Sequence, residues 1–488
     1  MKIEANKHGI DTQRYGFSIF PGLSDFFHGY PKYIQNAKLV RLGKGHDILM
    51  SGEAKKEIIS SQVNRFAVLP TDFHGMSPIP KVIPDIGQSV KAGDPLFFDK
   101  KREGIYYCAP VSGEIVAVER GEKRAITAVV ILADKQIQYR SFNAPDIEKT
   151  DRATLVSFMQ ESGLWAFINE RPFDRVPETE KVPENIFIST FDTAPAAPDL
   201  NFIVDGQESA FQKGLDVLSK LTSGKVHLGL DARDRNKAPH DAFVHAINVQ
   251  KTYFTGKHPA GNVGIQIHHT APIRPGQSVW TLGVQDVITI GNMFLNGRYD
   301  ATRIVALTGA ELKNPAYVKT FMGCNIGDVL KDNLESPEAR VISGDVLSGK
   351  QVSPDGFLSF KDDQITVLKE GNEFELFGWL LPIRPRPSIS GTFPNFLYPD
   401  HKFELDTNTH GERRALVVTG QYEEVLPIDT YPQHLFKAIL SNDLEKMEGL
   451  GLLELTEEDV ALCEFVCTSK TPIQSILRQG LEAIKEQS

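Results

Sequence analysis

Between Val82 and Leu132 the chain reads VIPDIGQSVKAGDPLFFDKKREGIYYCAPVSGEIVAVERGEKRAITAVVIL, with turn signals at Gly87, Gly93, Gly104, Gly113 and Gly121 cutting short apolar runs. The runs are too brief for helices, and the glycines supply the turns that strands need to reverse. Strands interrupted roughly every 8 to 12 residues fold as a compact all-β sandwich or barrel. This stretch therefore commits about a tenth of the chain to a small closed β-module, and the remainder must explain what such a module is attached to.

The order GQSVKAGDPLF followed by APVSGEIVAV resembles the lipoyl and biotinyl carrier domains, a barrel-sandwich hybrid. That fold occurs both as a swinging-arm carrier and as an unmodified module of larger assemblies. In carriers the modified lysine sits at a hairpin tip, where this chain has Asp99-Lys100. The KKREG that begins at Lys100 is unlike a modification site, so Lys100 is expected to stay bare.

At 488 residues the chain has room for three or four domains. A net charge of −10 argues against nucleic-acid binding, which draws its affinity from clustered Lys and Arg. Asp99-Lys100-Lys101-Arg102 is a short basic run of the kind found in solvated turns. No apolar stretch approaches the roughly 20 residues that span a bilayer. Lys7, His8, Asp11 and Arg14 break any signal-like apolar start. The expectation is a soluble cytoplasmic protein that reaches a membrane only through partners.

Four cysteines are too few for a disulfide framework in a chain of this size. Cys108 and Cys324 stand alone and read as small core residues. Cys463 and Cys467 lie one helical turn apart in ALCEFVC, with no third or fourth ligand near enough to complete a zinc or iron–sulfur site. No metal site is expected.

Segment by segment, the pattern gives a multidomain α/β chain. Residues 1–37 form an aromatic-rich extension without helical or strand periodicity, expected to lie as irregular structure against the body or a partner. Residues 38–144 form the barrel-sandwich hybrid, lipoyl/biotinyl-like. Helical spacing in DRATLVSFMQESGLWAFI and ESAFQKGLDVLSKLT alternates with buried-strand runs such as NIFIST and KVHLGLD. That alternation marks 145–295 as an open α/β, Rossmann-like domain. RIVALTGAEL, NPAYVKTFMGCNIGDVL and ARVISGDVLSGKQV suggest a β-grasp, SLBB-like domain over 296–385. Beyond a proline-rich joint at 382–387, residues 386–488 carry i, i+3, i+4 apolar spacing and form a C-terminal helical domain. There Thr456 and Asp459 stand as a capping pair before Val460.

Two motifs invite over-reading. Gly344 to Gln351 nearly spells a phosphate loop, but Gln351 stands where a Ser or Thr is needed and a Pro354-Asp355-Gly356 turn follows instead of a helix. His258, His268 and His269 cluster in GKHPAGNVGIQIHH without a nearby carboxylate or Cys, so hydrogen-bonded histidines are expected rather than metal ligands. Alternation there would place Val263, Ile265 and Ile267 on one side of a strand. No G-x-G-x-x-G opens the α/β region, which leaves a dinucleotide or flavin site of its own unsupported.

Several separated segments together resemble one family, the A subunits of the sodium-translocating NADH:quinone oxidoreductase, the Nqr complex. They are LGKGHDILMSG (Leu42–Gly52), DPLFFDKKREG with APVSGEIVAVERGEKR, ESGLWAFINERPFDRVP (Glu161–Pro177), FTGKHPAGNVGIQIHH and VWTLGVQDVITIG. RVISGDVLSG, FELFGWLLP, YEEVLPIDTYP and LGLLELTEEDVALCEFVC complete the set. The resemblance covers roughly residues 40–488 in order.

It implies a protein peripheral to the cytoplasmic face of a bacterial inner membrane, in a complex with five other subunits. That complex couples NADH oxidation and quinone reduction to sodium export. The resemblance implies that NADH, FAD, FMN and [2Fe-2S] belong to partner subunits and that this chain is not catalytic alone. Quinone is the substrate, and the family is associated with quinone contact. Phe73, His74, Gly75 and Met76, and Trp165 with Arg171 and Phe173, offer aromatics beside hydrogen-bond donors at positions matching the family motifs. The quinone slot is expected between the β-module and the α/β domain. The competing readings are a docking protein of the complex without ligand and a stand-alone carrier or flavoprotein.

Overall fold

The structure, a computed structural model, describes residues 30–34, 37–274, 276–371, 373 and 385–487. The FELFGWLLP segment and most of the aromatic-rich extension lie outside these residues, as does part of the proline-rich joint.

Two short strands precede the barrel: β1 (Lys38–Arg41) and β2 (Lys55–Ile59). The barrel-sandwich hybrid follows from β3 (Arg65–Val68), β4 (Lys81–Val82), β5 (Ser89–Val90), β6 (Pro95–Phe98), β7 (Tyr106–Cys108), β8 (Gly113–Arg120) and β9 (Ile126–Ala133). It has two small sheets, ordered β3-β9-β8-β5 and β4-β6-β7. Their inner faces bury Leu96, Phe97, Val111, Ile115, Val129 and Ile131 completely, and Phe97 stacks on Tyr107 at 5.0 Å between ring centroids. At the β6–β7 hairpin tip Lys100 is exposed. Its neighbour Asp99 turns inward and accepts hydrogen bonds from the Ser77 hydroxyl (2.7 Å) and the Lys101 N–H (3.0 Å).

Within the stretch 38–144, β1 and β2 join other sheets. β2 (KKEII) is mostly exposed and pairs parallel with a strand of the β-grasp domain, Ala316–Phe321. β1 pairs parallel with Gln250–Thr255 of the α/β sheet and buries Val40 against Phe191, Phe254 and Ala260. A strand of four or five residues carries too little pattern to specify which sheet edge it completes.

The α/β domain contains α1 (Arg152–Glu161), β10 (Asn169–Arg171), β11 (Asn185–Ser189), α2 (Leu200–Val204), α3 (Glu208–Ser219), β12 (Lys225–Asp231), α4 (Asp241–Val244), β13 (Gln250–Thr255), α5 (Val263–Thr270), β14 (Val279–Thr281) and α6 (Val284–Asn296). Its sheet runs β1-β13-β12-β11-β14-β10, parallel except for β10. Ile186 and Ile188 of β11 face the main core with Leu215 and Leu218 of α3, while Phe187 faces Ile267 of α5 across the sheet. Helices α3 and α6 cross closely. A Cβ on Gly214 would strike the Val287 carbonyl, and one on Gly291 would strike that of Ala210.

Val263 to Thr270 is a helix, not the strand that its alternation suggests. Val263 and Ile267 pack toward Phe187, whereas Ile265 packs into the C-terminal cluster. A helix buried on two sides carries apolar residues around its circumference, and its 3.6-residue period disappears from the sequence.

The β-grasp domain comprises β15 (Thr302–Thr308), β16 (Ala316–Phe321), α7 (Ile326–Leu330), β17 (Arg340–Ser343), β18 (Lys350–Gln351) and β19 (Gln364–Leu368), in the order β18-β17-β19-β15-β16-β2. The tail is helical: α8 (Gln421–Val425), α9 (Pro432–Leu440), α10 (Leu444–Gly449), α11 (Glu457–Val466) and α12 (Ile473–Gln487). These helices enclose their own apolar cluster, including Tyr431, Leu435, Phe436, Leu462 and Leu477. Cys463 and Cys467 belong to it. Burial pushes the Cys463 thiol far up, and Cys467 Sγ accepts a hydrogen bond from the Tyr422 hydroxyl at 2.8 Å.

Candidate functional site at the meeting of four modules

Chain order and spatial order part company at β11. The sheet runs outward β11, β12, β13, and the chain then returns to place β14 on the other side of β11. Open α/β sheets bind ligands beyond the carboxyl ends of strands at such a reversal. A cavity of about 510 Å³ lies there, and a second of about 320 Å³ adjoins it, sharing His74, Asn169 and Lys361 among its walls.

Each module contributes. The barrel supplies His74, and the α/β domain supplies Phe191, Asp192 and the first residues of α5 and α6. The β-grasp domain supplies Lys361, Asp362 and Asp363, and the tail supplies Glu457, Glu458 and Gln474. Sequence reasoning expected a quinone slot between the barrel and the α/β domain; this cavity has walls from all four modules.

The walls carry more carboxylates than cations, and burial sets their protonation. It pushes Asp363 up to about 7, with Arg303 opposing, and Asp362 up to about 6 although Ser343 Oγ donates to it at 2.5 Å. Burial lowers Lys361, whose ammonium donates to the Phe167 carbonyl (2.9 Å) and to Asn169 Oδ1 (2.6 Å). It lowers His74 as well, with help from the Arg478 charge, so His74 is a neutral imidazole near pH 7. Behind the cavity, the guanidinium of Arg303 pairs with Asp286, both buried.

The seven residues selected from the sequence divide sharply. His74 lines both cavities, and Phe73 lines the smaller one while packing on Tyr107 (4.4 Å) and Phe360 (5.0 Å). Arg171 lines the larger, but its guanidinium is engaged: Nη1 donates to Asp459 at 2.8 Å and Nη2 to Glu458. Gly75, Met76, Trp165 and Phe173 line neither. Gly75 has φ of +75° and accepts from Arg102 through its carbonyl. Met76 packs at the edge of the main core. Trp165 is fully buried, its indole N–H donating to the Pro177 carbonyl at 2.9 Å. Phe173 lies beneath Arg175 and Lys485, and its carbonyl accepts from Arg478 at 2.9 Å.

Sequence reasoning missed Lys361, Asp362, Asp363 and Asp192. The one available signal was a charged KDD immediately before the apolar strand QITVL, which by itself reads as a solvated turn.

The remaining motifs find structural roles. Gly344 to Gly349 forms the turn between β17 and β18, and a further turn, not a helix, follows β18. His258 Nδ1 lies 3.1 Å from the Thr193 hydroxyl. His268 and His269 join α5 to the tail, through Glu454 (2.5 Å) and the Pro427 carbonyl (2.7 Å). Asp205, Glu208 and His240 form the one grouping among the described residues spaced for a metal ion. His240 Nδ1 accepts from the Ala242 N–H, which leaves Nε2 as the protonated nitrogen facing the carboxylates. A shallower cleft of about 700 Å³ at the opposite strand ends includes Lys38 and Lys251, whose ammonium groups are held by the carbonyls of His269 and Val244.

Three family models match this chain in order: the NqrA N-terminal barrel-sandwich hybrid domain over residues 40–134, the NqrA second alpha/beta domain over 150–299, and the NQRA C-terminal domain over 304–353. The A subunit of the Na(+)-translocating NADH-quinone reductase from Alcanivorax borkumensis is 38% identical over 452 residues, covering 92% of this chain and 99% of its own. Its counterpart from Saccharophagus degradans is 36% identical over 453 residues, covering 92% and 100%. Among solved structures, an NAD+-reducing [NiFe]-hydrogenase in the air-oxidized state aligns over 72% of this chain and 67% of its own, at 11% identity and a TM-score of 0.35.

Proposed function

The chain belongs to the NqrA family, and on that premise we propose that it serves as the peripheral NqrA component of a sodium-translocating NADH:quinone reductase, receiving a quinone head group in the cavity where its four modules meet. In this reading NADH, FAD, FMN and [2Fe-2S] are held by the five partner subunits, which also provide attachment to the cytoplasmic face of the inner membrane. No helix among the described residues is long and apolar enough to cross a membrane.

One observation carries the quinone reading: a neutral imidazole, His74, faces both adjoining cavities, with the Lys361 ammonium and the Asn169 amide in the same walls. Quinone carbonyls are uncharged acceptors and need donors of this kind beside apolar surface, here Phe191, Leu282 and Val284. Arg171 has a supporting place in this picture, since both ends of its fork are already held by carboxylates.

Titration of the purified chain with a short-chain, water-soluble quinone tests the proposal. His74→Ala is expected to weaken affinity by about 1–3 kcal/mol while the thermal midpoint stays near that of the parent. Unchanged affinity in a folded His74 variant removes this residue from the site. NADH oxidation by the lone chain would place the redox centres here rather than in the partners.

A further inference from the structure

Behind the larger cavity, one guanidinium stands between two carboxyl groups. Arg303 of β15 is 1% exposed; its Nη2 donates to Asp286 of α6, and its Nη1 reaches the Thr289 hydroxyl at 3.3 Å. Asp286 accepts on both oxygens, Oδ1 from Arg303 and Oδ2 from the Gly283 N–H at 3.1 Å, so it is the carboxylate that answers the guanidinium charge. Asp363, the residue before β19, is left over. Its Oδ1 lies 3.9 Å from Arg303 Nε, and neither atom has a hydrogen-bond partner among the described residues. Yet 20% of the Asp363 side chain is exposed, and the residue lines the cavity.

A buried charge is costly unless it is paired and hydrogen-bonded. Where two carboxyl groups compete for one countercharge, the group in contact keeps its charge and the other takes a proton. Burial acts on Asp363 in the same direction, pushing it up to about 7. Protonation changes a carboxyl group from an acceptor only into a donor. Resting on the reading of this cavity as a quinone site, we propose that Asp363 is a recognition residue of that site: as a neutral acid it donates its O–H to a quinone carbonyl oxygen, in addition to the donor that His74 supplies.

The consequence is a site whose affinity for an uncharged ligand depends on pH. Neutral Asp363 offers an O–H to the carbonyl oxygen, whereas ionised Asp363 offers only acceptors and a negative charge that repels it. Quinone affinity should therefore fall as the pH rises through about 7. The charged groups facing Asp363 are Arg303 from β15, Asp286 from α6 and Asp362 from its own segment, with Gln285 of α6 as a neutral neighbour. Lys361 lies close to the same Asp286–Arg303 pair. Asp362, Glu458 and His74 share the cavity walls and are shifted by burial as well. The wild-type curve contains their titration too, and a substitution at 363 isolates one group.

The test titrates the full chain with a short-chain, water-soluble quinone between about pH 6 and about pH 8. Wild-type affinity should fall by up to roughly tenfold across that interval, following the protonated fraction of a group that titrates at its middle. Asp363→Asn can turn its oxygen to Arg303 and keep an N–H for the cavity at every pH. It should bind more tightly than the wild type at the alkaline end and lose most of the pH dependence. Asp363→Leu has no donor and should bind as weakly at the acid end as the wild type does at the alkaline end.

No quinone binding by the wild type at any pH overturns the quinone reading and this inference with it. Binding whose pH dependence survives unchanged in a folded Asp363→Asn variant overturns the role of Asp363 alone and leaves the quinone reading standing. Infrared difference spectra give a second readout that needs no affinity. The wild type should show a carboxylic-acid C=O band that shifts when quinone binds and is missing from Asp363→Asn. If Asp363→Leu does not fold, Asp363→Asn and this band decide. A spectrum with no such band, or a band that quinone leaves in place, overturns the inference.

Discussion

The barrel-sandwich hybrid and the seam where the tail meets the α/β domain are both buried, but they are held by different physics. The barrel core is apolar throughout, with Leu96, Phe97, Ile115 and Ile131 sealed between two small sheets. The seam is held by charged contacts: Arg171 with Asp459 and Glu458, His268 with Glu454, and Arg478 donating to the Phe173 carbonyl. Apolar burial is non-directional and tolerates repacking. A buried ion pair stabilises only while both partners are present, because a lone buried charge is costly. The barrel core therefore hangs on no single pair, whereas the seam is a joint whose strength depends on particular pairs.

The sharpest way to break this contrast is to truncate one residue of each kind. Phe97→Ala removes a ring stacked on Tyr107 from the barrel core and should cost about 3–5 kcal/mol in denaturant unfolding. A cost below about 1 kcal/mol would show that the barrel is not closely packed. Arg171→Ala, which strands Asp459, should cost about 3 kcal/mol. Joined to Asp459→Asn it should cost less than the two single changes added together, by about 1–3 kcal/mol. Simple additivity would mean that the seam, like the barrel, is held by packing.

A smaller effect sets the charged cavity wall of the β-grasp domain apart from the apolar barrel by pH. Burial raises Asp363 to about 7 from the ordinary aspartate range. Its contribution to stability is thus full below that ordinary range and is lost as the pH rises through about 7. Asp363→Asn cannot ionise and should gain on the wild type between pH 5 and pH 8, by on the order of 2 kcal/mol. Thermal midpoints across that interval measure it, and parallel curves for the two proteins would rule out the shift. Phe97 variants should show no such pH dependence relative to the wild type.

The smallest expected effect concerns the barrel's surface. Lys100→Arg at the exposed hairpin tip should change stability by less than about 0.5 kcal/mol, and the intact mass of the chain should equal that of its bare sequence. A lipoyl or biotinyl mass on Lys100 would make the barrel a carrier rather than a passive body.

Local pattern was enough to read the barrel strands, the helices of the tail and the alternation of the α/β domain. Each is written in runs whose period or punctuation survives in one dimension. The capping pair Thr456–Asp459 was legible for the same reason. The strand-like reading of α5 failed where burial on two sides erased the period. The edge strands β1 and β2 gave no sign of their destinations, being too short to carry one.

The candidate site was legible only in fragments. His74 reached both cavities, Phe73 the smaller and Arg171 the larger, whereas Trp165 proved to be sealed in the core, with its indole N–H already donating to Pro177. Lys361, Asp362 and Asp363 look like a solvated turn until β19 carries them inward. Residue type and spacing thus determined the modules, and the resemblance of whole segments pointed to the family. The cavity, the pairing of Arg171 with Asp459 across 288 positions of sequence, and the protonation of the buried carboxylates were decided by tertiary structure alone. Desolvation and ion pairing depend on distance in space, and no run of neighbouring residues encodes which distant carboxylate will meet a given guanidinium.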